Sequence, residues 1–293
     1  MKNYIIKNYQ EGFIEDQVKI GDEVSKQWQL FGQSNAERLK EVYSQPDFDP
    51  ETRLYCFDEK KMVGFLTSAI IPEKENEKTI GNLSLPFVLE GYQGVTELLI
   101  NKAITILKSK GAEIIRTFAN DTWGKHRETA EKLGFKLIRD TAYMVGVKVN
   151  DLTIKEETKN VLEYNKERDL EDLVQIFIEN LGMTEEQAKQ NFEVIENSEE
   201  VIGHYVIRDD EKIVARTYIA KNNDSPELYV GYIYSLDDKY RNQLISKAIE
   251  VCKEKGIDEI RAVLFGGMVS KLKEYEDMGF RKLNVSSMYE KEA

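Results

Sequence analysis

Few side chains in this sequence are of the types that commonly carry acid–base or metal chemistry. The 293 residues include two histidines, His126 and His204, and two cysteines, Cys56 and Cys252. The isolated cysteines have no metal-ligand spacing, and two histidines argue against both a His-based triad and a His-rich metal site. We therefore expect no metal. His204 lies in the strand-like run VIGHYVIR, where an ordinary sheet residue is expected, and His126 lies on a charged helix, where we expect it to be solvated.

The helices and strands that would position a functional site occur twice in the sequence. The segment LLINKAITILKSKGAEIIR at 98–116 matches QLISKAIEVCKEKGIDEIR at 243–261 without a gap. In the same register, AEKLGFK at 130–136 falls on YEDMGFR at 275–281. FDEKKMVGF at 57–65 resembles RDDEKIVAR at 208–216, with a loop of different length in between. The chain therefore contains two copies of one structural unit.

Hydrophobic periodicity predicts the same order of elements in both copies. In the first copy it predicts strands at 4–9, 53–58, 61–71, 79–88 and 113–118, a strand pair at 135–149, and helices at 15–31, 36–43, 95–110 and ending at 133–134. The second copy begins near residue 161, with helices near 170–179 and 185–194. The polar segment DLTIKEETKN predicts a linker at about 150–160, and hence domains at 1–150 and 160–293.

This order of elements resembles the GNAT superfamily of N-acetyltransferases. The resemblance rests on Gly134–Phe135 and Gly279–Phe280, and on the strand–loop–helix segments EGYQGVTELLI and DDKYRNQLI. The resemblance in the order of helices and strands extends over nearly the whole chain. It implies an α/β (α+β) fold class: two tandem GNAT-like domains, each with a mixed, mostly antiparallel sheet flanked by helices. It also implies acetyl-CoA as cofactor and a small-molecule amine as acceptor.

The family's phosphate loop, R/Q-x-x-G-x-G/A, offers backbone N–H groups to the pyrophosphate at a helix N-terminus. Neither copy has this loop intact. The first copy keeps one key glycine, which makes Gly94, Val95 and Thr96 a weaker candidate site. Asn120 of that copy resembles the amide that contacts pantetheine in some relatives.

The second copy has cations where the family has glycines. One alignment of its loop keeps Arg241, and another places Lys239, Tyr240 and Arg241 at the last three loop positions. The candidate cofactor-binding residues of this copy are Ile233, Ser235, Lys239, Tyr240, Arg241 and Asn242. A plain strand–helix connection capped by Asp237 or Asp238 is the alternative for this loop.

A proton donor distinguishes the copies. The family's Y-E-K-x-G-F pattern is matched by Tyr275 and the residues after it, whereas the first copy has Ala130 at that position. The resemblance therefore implies that Tyr275 protonates the departing thiolate of CoA after direct attack by the amine. No Asp, Glu or His lies in the strand 229–234, so Glu227 or a water chain would have to act as base. On this interpretation the second copy is active and the first completes the substrate cleft.

Two other functions remain open. Loss of the glycines favours an inactive CoA-binding or protein-interaction module with two decayed GNAT domains. A nucleic-acid-binding function is disfavoured by the net charge of −12. The longest apolar stretch, 62–72, is far short of the roughly 20 residues that span a bilayer, and no signal peptide is evident. We expect a cytoplasmic protein without nucleic-acid or membrane partners, either a monomer or a homodimer.

Overall fold

The structure is a computed structural model that describes residues 3–32, 34–71, 75, 77–92, 94–152, 154, 156–221 and 226–293. Within these residues the helices are α1 Ile14–Ser25, α2 Ala36–Tyr43, α3 Gly94–Ser109, α4 His126–Lys132, α5 Lys166–Leu181, α6 Glu185–Asn197, α7 Asp238–Lys255 and α8 Leu272–Asp277. The strands are β1 Tyr4–Asn8, β2 Arg53–Asp58, β3 Lys61–Ile70, β4 Ile80–Leu83, β5 Phe87–Val88, β6 Ile114–Asn120, β7 Lys136–Lys148, β8 Val161–Glu163, β9 Val201–Asp209, β10 Lys212–Ala220, β11 Leu228–Val230, β12 Tyr234–Ser235, β13 Glu259–Phe265 and β14 Arg281–Glu292. The predicted α/β class with a mixed, mostly antiparallel sheet is confirmed.

The chain forms two compact units. Unit 1 comprises Met1–Thr141 with Asn284–Ala293, and unit 2 comprises Ala142–Leu283. These boundaries fall inside β7 and β14, whereas the sequence repeat predicts a boundary at the linker of about 150–160. That linker prediction concerns where one copy of the repeat ends and the next begins, and it stays a prediction.

In unit 1 the strand order is β1-β2-β3-β4-β6-β14, with β5 also paired to β3. Only the β4–β6 pair is parallel. Alternate residues of a strand point to opposite faces of the sheet. In unit 1, helices cover both of these faces. Leu54 and Cys56 pack with the apolar side of α3, while Tyr55 and Phe57 pack with α1.

Unit 2 repeats this plan. Its strands follow the order β7-β13-β11-β10-β9-β8, and β11–β13 is its parallel pair. Helix α7 packs on one face of the sheet, together with residues such as Tyr205 and Ile207. Helices α5 and α6 pack on the other face, against Val206 and Ile213.

The last strand of each copy completes the sheet of the other copy. In unit 1, β14 pairs antiparallel with β6 from Ser286↔Asn120 to Glu292↔Ile114. In unit 2, β7 pairs antiparallel with β13 from Phe265↔Ala142 to Glu259↔Lys148. The predicted strand pair at 135–149 is therefore wrong: β7 is one continuous strand. Its sequence has no Gly, Pro or Asn at a turn position before Gly146, which itself lies in the strand.

Two negative findings apply to the described residues. None of their helices is both long enough and apolar enough to cross a bilayer. They contain no group of three or more His, Cys, Asp or Glu side chains placed to hold a metal ion.

Candidate functional site

A gap opens in the sheet of unit 1 where its parallel strand pair ends. Strands β4 and β6 pair from Ile80↔Ile114 to Asn82↔Arg116. Beyond that point the chain turns toward β3, since the backbone N–H of Ser84 donates to the Thr67 carbonyl at 2.8 Å. In the described part of the chain, no backbone hydrogen bond joins residues 84–88 to β6. The predicted strand 79–88 is thus split by Pro86, which has no N–H to donate.

This gap leads into a cavity of about 300 Å³. Its walls are mainly apolar and include five aromatic residues: Trp28, Phe31, Phe87, Phe118 and Trp123. A few polar groups line it as well, among them Arg53 and His126. An apolar cavity with a few convergent polar groups is the usual form of a small-molecule site.

The two tryptophans of the chain both line this cavity. Their rings are stacked, with centroids 5.6 Å apart and an interplanar angle of 21°. The loop after α1 is held to the loop after β6 by two hydrogen bonds: Trp123 Nε1 donates to the Gln29 carbonyl at 2.8 Å, and Gln29 N donates to Thr122 Oγ1 at 2.9 Å. Backbone contacts therefore fix the aromatic wall in place.

His126 is buried at the start of α4, contrary to the expectation that it is solvated; only 9% of its surface is exposed. Burial lowers the pKa of His126 to about 4, so the imidazole is neutral near pH 7. Its Nε2 atom lies 3.3 Å from the Pro86 carbonyl, and its buried Nδ1 atom has no hydrogen-bond partner among the described residues. Helical spacing places His126 one turn before Ala130, on the same buried face of α4.

Asn120 lies at the end of β6, next to this region. Its Nδ2 donates to Asn284 Oδ1 at 3.0 Å and to Ser286 Oγ at 2.8 Å. Its Oδ1 accepts from the backbone N–H of Thr122 at 2.8 Å and from Thr122 Oγ1 at 2.7 Å. All four hydrogen-bonding positions of the amide are therefore occupied by protein groups. Asn120 ties β6 to β14.

The N-terminus of α3 holds the other first-copy candidates. Gly94 begins the helix, and a Cβ added there would meet no atom within 4 Å. Val95 is buried in the core, and its N–H donates to the Tyr92 carbonyl at 2.8 Å. Glu97 is an acidic residue in the first turn of the helix. This end of the helix carries the partial positive charge of the helix dipole.

Unit 2 has a gap at the equivalent place. Its parallel pair ends at Val230↔Ala262, and a cavity of about 320 Å³ follows, lined by Tyr218, Tyr232 and Phe265. Of the predicted cofactor residues, Ile233 is buried in the core and Ser235 pairs with Ala215 in the sheet.

Two acidic residues, Asp237 and Asp238, lie at the N-terminus of α7. Asp237 caps the helix, with its carboxylate accepting from Lys239 N at 2.7 Å. Arg241 is only 6% exposed, and its Nη1 donates to Asp238 at 2.9 Å and to Glu274. The guanidinium charge predicted to meet phosphate is therefore already neutralised by two carboxylates. The capped connection, which the sequence left as the alternative, is the arrangement present.

The remaining second-copy candidates have separate environments. Lys239 is exposed, and Tyr240 packs partly against the core. Asn242 has a buried Oδ1 without a hydrogen-bond partner among the described residues. Tyr275 is 1% exposed, and its ring contacts Phe280 edge-on at 5.3 Å between centroids. Burial raises the pKa of Tyr275 well above its ordinary value. The structure thus brings Tyr275 near Arg241, whose guanidinium carbon lies 5.9 Å from the ring centroid.

Comparison with known proteins identifies the fold. No protein-family model and no curated protein matches the sequence. Solved structures do match. The GCN5-related N-acetyltransferase from Sphaerobacter thermophilus is 11% identical, with a TM-score of 0.62 over 99% of this chain and 95% of that chain. The fold is that of the GNAT superfamily.

Two further solved structures match over most of the chain. A tandem GNAT protein from the clavulanic acid biosynthesis pathway is 11% identical, with a TM-score of 0.63 over 99% of this chain and 98% of that chain. The N-myristoyltransferase of Saccharomyces cerevisiae, solved with bound myristoyl-CoA, is 14% identical, with a TM-score of 0.52 over 99% of this chain and 79% of that chain.

The sequence does not predict that His126, Arg53 and the paired tryptophans belong to one site. One signal was present: His126 is four residues before the position where the family's tyrosine is replaced by Ala130. The tryptophans and Arg53 are far apart in sequence, and no local pattern joins them.

Proposed function

We propose that the protein is an acyl-CoA-dependent N-acyltransferase that acts on a small-molecule amine, and that unit 1 holds the acyl-CoA. One observation carries the proposal. The parallel pair β4–β6 opens beyond Asn82 into an apolar cavity, and a neutral, buried histidine with a free Nδ1 atom lines that cavity. The GNAT fold, seen with myristoyl-CoA in the yeast relative, supports acyl-CoA as the class of cofactor. Acetyl-CoA is the member that we propose.

The residues of unit 1 fit such a cofactor better than those of unit 2. The pyrophosphate would be held by the N–H groups at the N-terminus of α3, which begins at Gly94. Unpaired backbone between β5 and β6 would hydrogen-bond to the pantetheine amides. At α7 an incoming phosphate would have to displace the carboxylate of Asp237 and lie beside Asp238. Like-charge repulsion disfavours that arrangement.

Acyl-CoA supplies an acyl group activated as a thioester. For its part, the protein must present an amine with a free lone pair, because a protonated amine cannot attack. With a pKa of about 4, His126 is too weak a base to deprotonate an ammonium group. Its Nδ1 would instead accept a hydrogen bond from the neutral amine and orient it, since its Nε2–H is already directed to Pro86. The proton that the amine gives up on attack would pass to the departing CoA thiolate. Tyr275, the proton donor that the resemblance implies, belongs to unit 2 and stays a prediction for that unit.

A pair of matched variants tests this assignment. Gly94→Asp adds a carboxylate to the first turn of α3, where it favours the helix but repels phosphate. Lys239→Glu makes the corresponding change in the first turn of α7. We expect calorimetry to show micromolar acetyl-CoA binding by the wild-type chain, at least a tenfold loss in Gly94→Asp, and no loss in Lys239→Glu.

The opposite pattern would move the cofactor to unit 2 and favour Lys239 and Tyr275 as its site. Binding by the wild type without acyl transfer to any amine would favour the inactive CoA-binding module. No binding of acetyl-CoA or CoA by the wild type would overturn the proposal.

A further inference from the structure

Arg53 lies in the cavity wall and has no acidic partner in the part of the chain that the structure describes. It lies at the start of β2, half-buried, and lines the cavity of unit 1. Its Nη1 donates to Thr52 Oγ1 at 2.8 Å and to the Ser68 carbonyl. Within the described residues it forms no salt bridge, although the chain has 53 acidic residues. The site therefore keeps a positive charge available inside an acidic protein.

Two other arginines of unit 1, Arg116 and Arg127, are paired with carboxylates. Arg116 pairs with Glu75 at 2.7 Å and with Glu290 at 2.6 Å, and Arg127 pairs with Asp121 at 2.8 Å. Arg53 is instead held by backbone and hydroxyl oxygens and by the rings of Tyr43 and Phe48, whose centroids lie 5.6 and 5.5 Å from its guanidinium carbon. These contacts orient the guanidinium without cancelling its charge, as is required of a group that binds an anion.

The cavity also has an aromatic side. The rings of Trp28, Phe31 and Phe87 meet pairwise at centroid distances of 5.0 to 5.4 Å, and Trp123 stacks on Trp28. A wall of this kind favours a flat apolar ring over a hydrated aliphatic chain. A volume of about 300 Å³ limits the occupant to a small molecule.

We infer that the acceptor is a primary amine that also carries an aromatic ring and a carboxylate, as the aromatic amino acids do. Its carboxylate pairs with Arg53, its ring lies against the aromatic wall, and its amine faces Nδ1 of His126. The three groups of the ligand thus meet the cation, the apolar surface and the hydrogen-bond acceptor of one cavity. This inference rests on the proposed function for the identity of the site.

The tryptophans provide a direct test that does not depend on turnover. Both tryptophans of the chain line the cavity, so their emission reports on this site alone. We would titrate the full chain with L-phenylalanine, 2-phenylethylamine, 3-phenylpropanoate and L-alanine, with and without CoA. We expect L-phenylalanine and 3-phenylpropanoate to change the emission at lower concentration than 2-phenylethylamine, which lacks the carboxylate, and L-alanine to have little effect.

Variants of Arg53 test whether this residue binds the carboxylate of the ligand. Arg53→Gln is expected to weaken the binding of L-phenylalanine about 10- to 100-fold, which is the range for a lost charge-assisted hydrogen bond. The same substitution is expected to leave the binding of 2-phenylethylamine unchanged. Arg53→Lys, which keeps the charge, is expected to restore part of the affinity. Arg38→Gln is the matched control, since Arg38 is exposed on α2 and paired with Glu41. Melting curves would show whether each variant is folded.

Acetyl-CoA binding, measured on the same samples, separates the two proposals. If acetyl-CoA binds and L-phenylalanine does not, the acceptor inference is overturned and the proposed function stands. If 2-phenylethylamine binds the wild type as tightly as L-phenylalanine, or a folded Arg53→Gln binds both unchanged, the inference is overturned as well. If acetyl-CoA fails to bind while L-phenylalanine binds through Arg53, the ligand site stands and the transferase function fails.

Discussion

The Nε2 atom of His126 lies 3.3 Å from the carbonyl oxygen of Pro86. A carbonyl only accepts hydrogen bonds, so Nε2 carries the imidazole proton and Nδ1 keeps its lone pair. Pro86 is also the residue at which the predicted strand 79–88 breaks. The same residue therefore marks the opening of the sheet and sets the tautomer of the histidine beside it.

Replacing His126 by glutamine is expected to lower the rate of acyl transfer about 3- to 10-fold, since a neutral hydrogen bond that orients the amine contributes about 0.5–1.5 kcal/mol. Glutamine can still donate to Pro86 through its amide but has no acceptor atom at the position of Nδ1. Steady-state kinetics would show the loss in kcat, while calorimetry would show unchanged binding of acetyl-CoA. Lys125→Gln, an exposed neighbour, is the control. An equal loss in both variants would contradict a role for His126.

The stability of the protein is expected to depend on pH through His126. Burial lowers its pKa from 6.5 to about 4, so between these values the unfolded chain binds a proton that the folded chain does not. The stabilising contribution is complete above about pH 6.5 and is lost as the pH falls toward about 4, by about 1.4 kcal/mol per pH unit. Urea unfolding of the wild type and His126→Gln across this range would measure it.

The wild type must be compared with His126→Gln because the second histidine, His204, also contributes to the pH dependence. Burial and the charge of Arg216 lower the pKa of His204 to about 3, which acts in the same direction. The difference between the wild type and His126→Gln removes the contribution of His204. Parallel stability curves for the two proteins would show that His126 is not buried as described.

Asn120→Ala is expected to destabilise the protein by about 3 kcal/mol, because it leaves Asn284, Ser286 and Thr122 with unmet hydrogen bonds in a buried site. Asn101→Ala, on the exposed side of α3, is expected to change stability by less than about 0.5 kcal/mol. Chemical unfolding would measure both. A small loss in Asn120→Ala would mean that its amide is instead kept for a ligand, as the family resemblance implies.

The exchange of last strands predicts which unit a strand-breaking substitution disrupts. Ser287 is buried in β14 and pairs with Ala119 of unit 1, while Val145 is buried in β7 and pairs with Ala262 of unit 2. Proline removes the ladder hydrogen bond at either position. We expect Ser287→Pro to change the tryptophan emission of unit 1 and Val145→Pro to leave it unchanged, although both reduce the circular dichroism. The reverse pattern would contradict the exchange.

The sequence alone determined the repeated order of elements and most of their positions. The helix predicted at 95–110 is α3 Gly94–Ser109, and the strand predicted at 53–58 is β2 Arg53–Asp58. Such predictions succeed because helix and strand periodicity is read from neighbouring residues. The Gly–Phe pairs and the internal repeat were sufficient for the fold class for the same reason.

Tertiary structure decided the site. Whether Arg241 is free for phosphate depends on Glu274 in another helix, and whether His126 is solvated depends on the chain that covers it. The predicted strand pair is instead one strand, β7, whose residues 142–148 pair with β13, a strand more than 110 residues away in sequence. Arg53, Trp28 and Trp123 meet only once the sheet has opened beyond Asn82. These outcomes are set by contacts between residues far apart in sequence, which local periodicity does not encode.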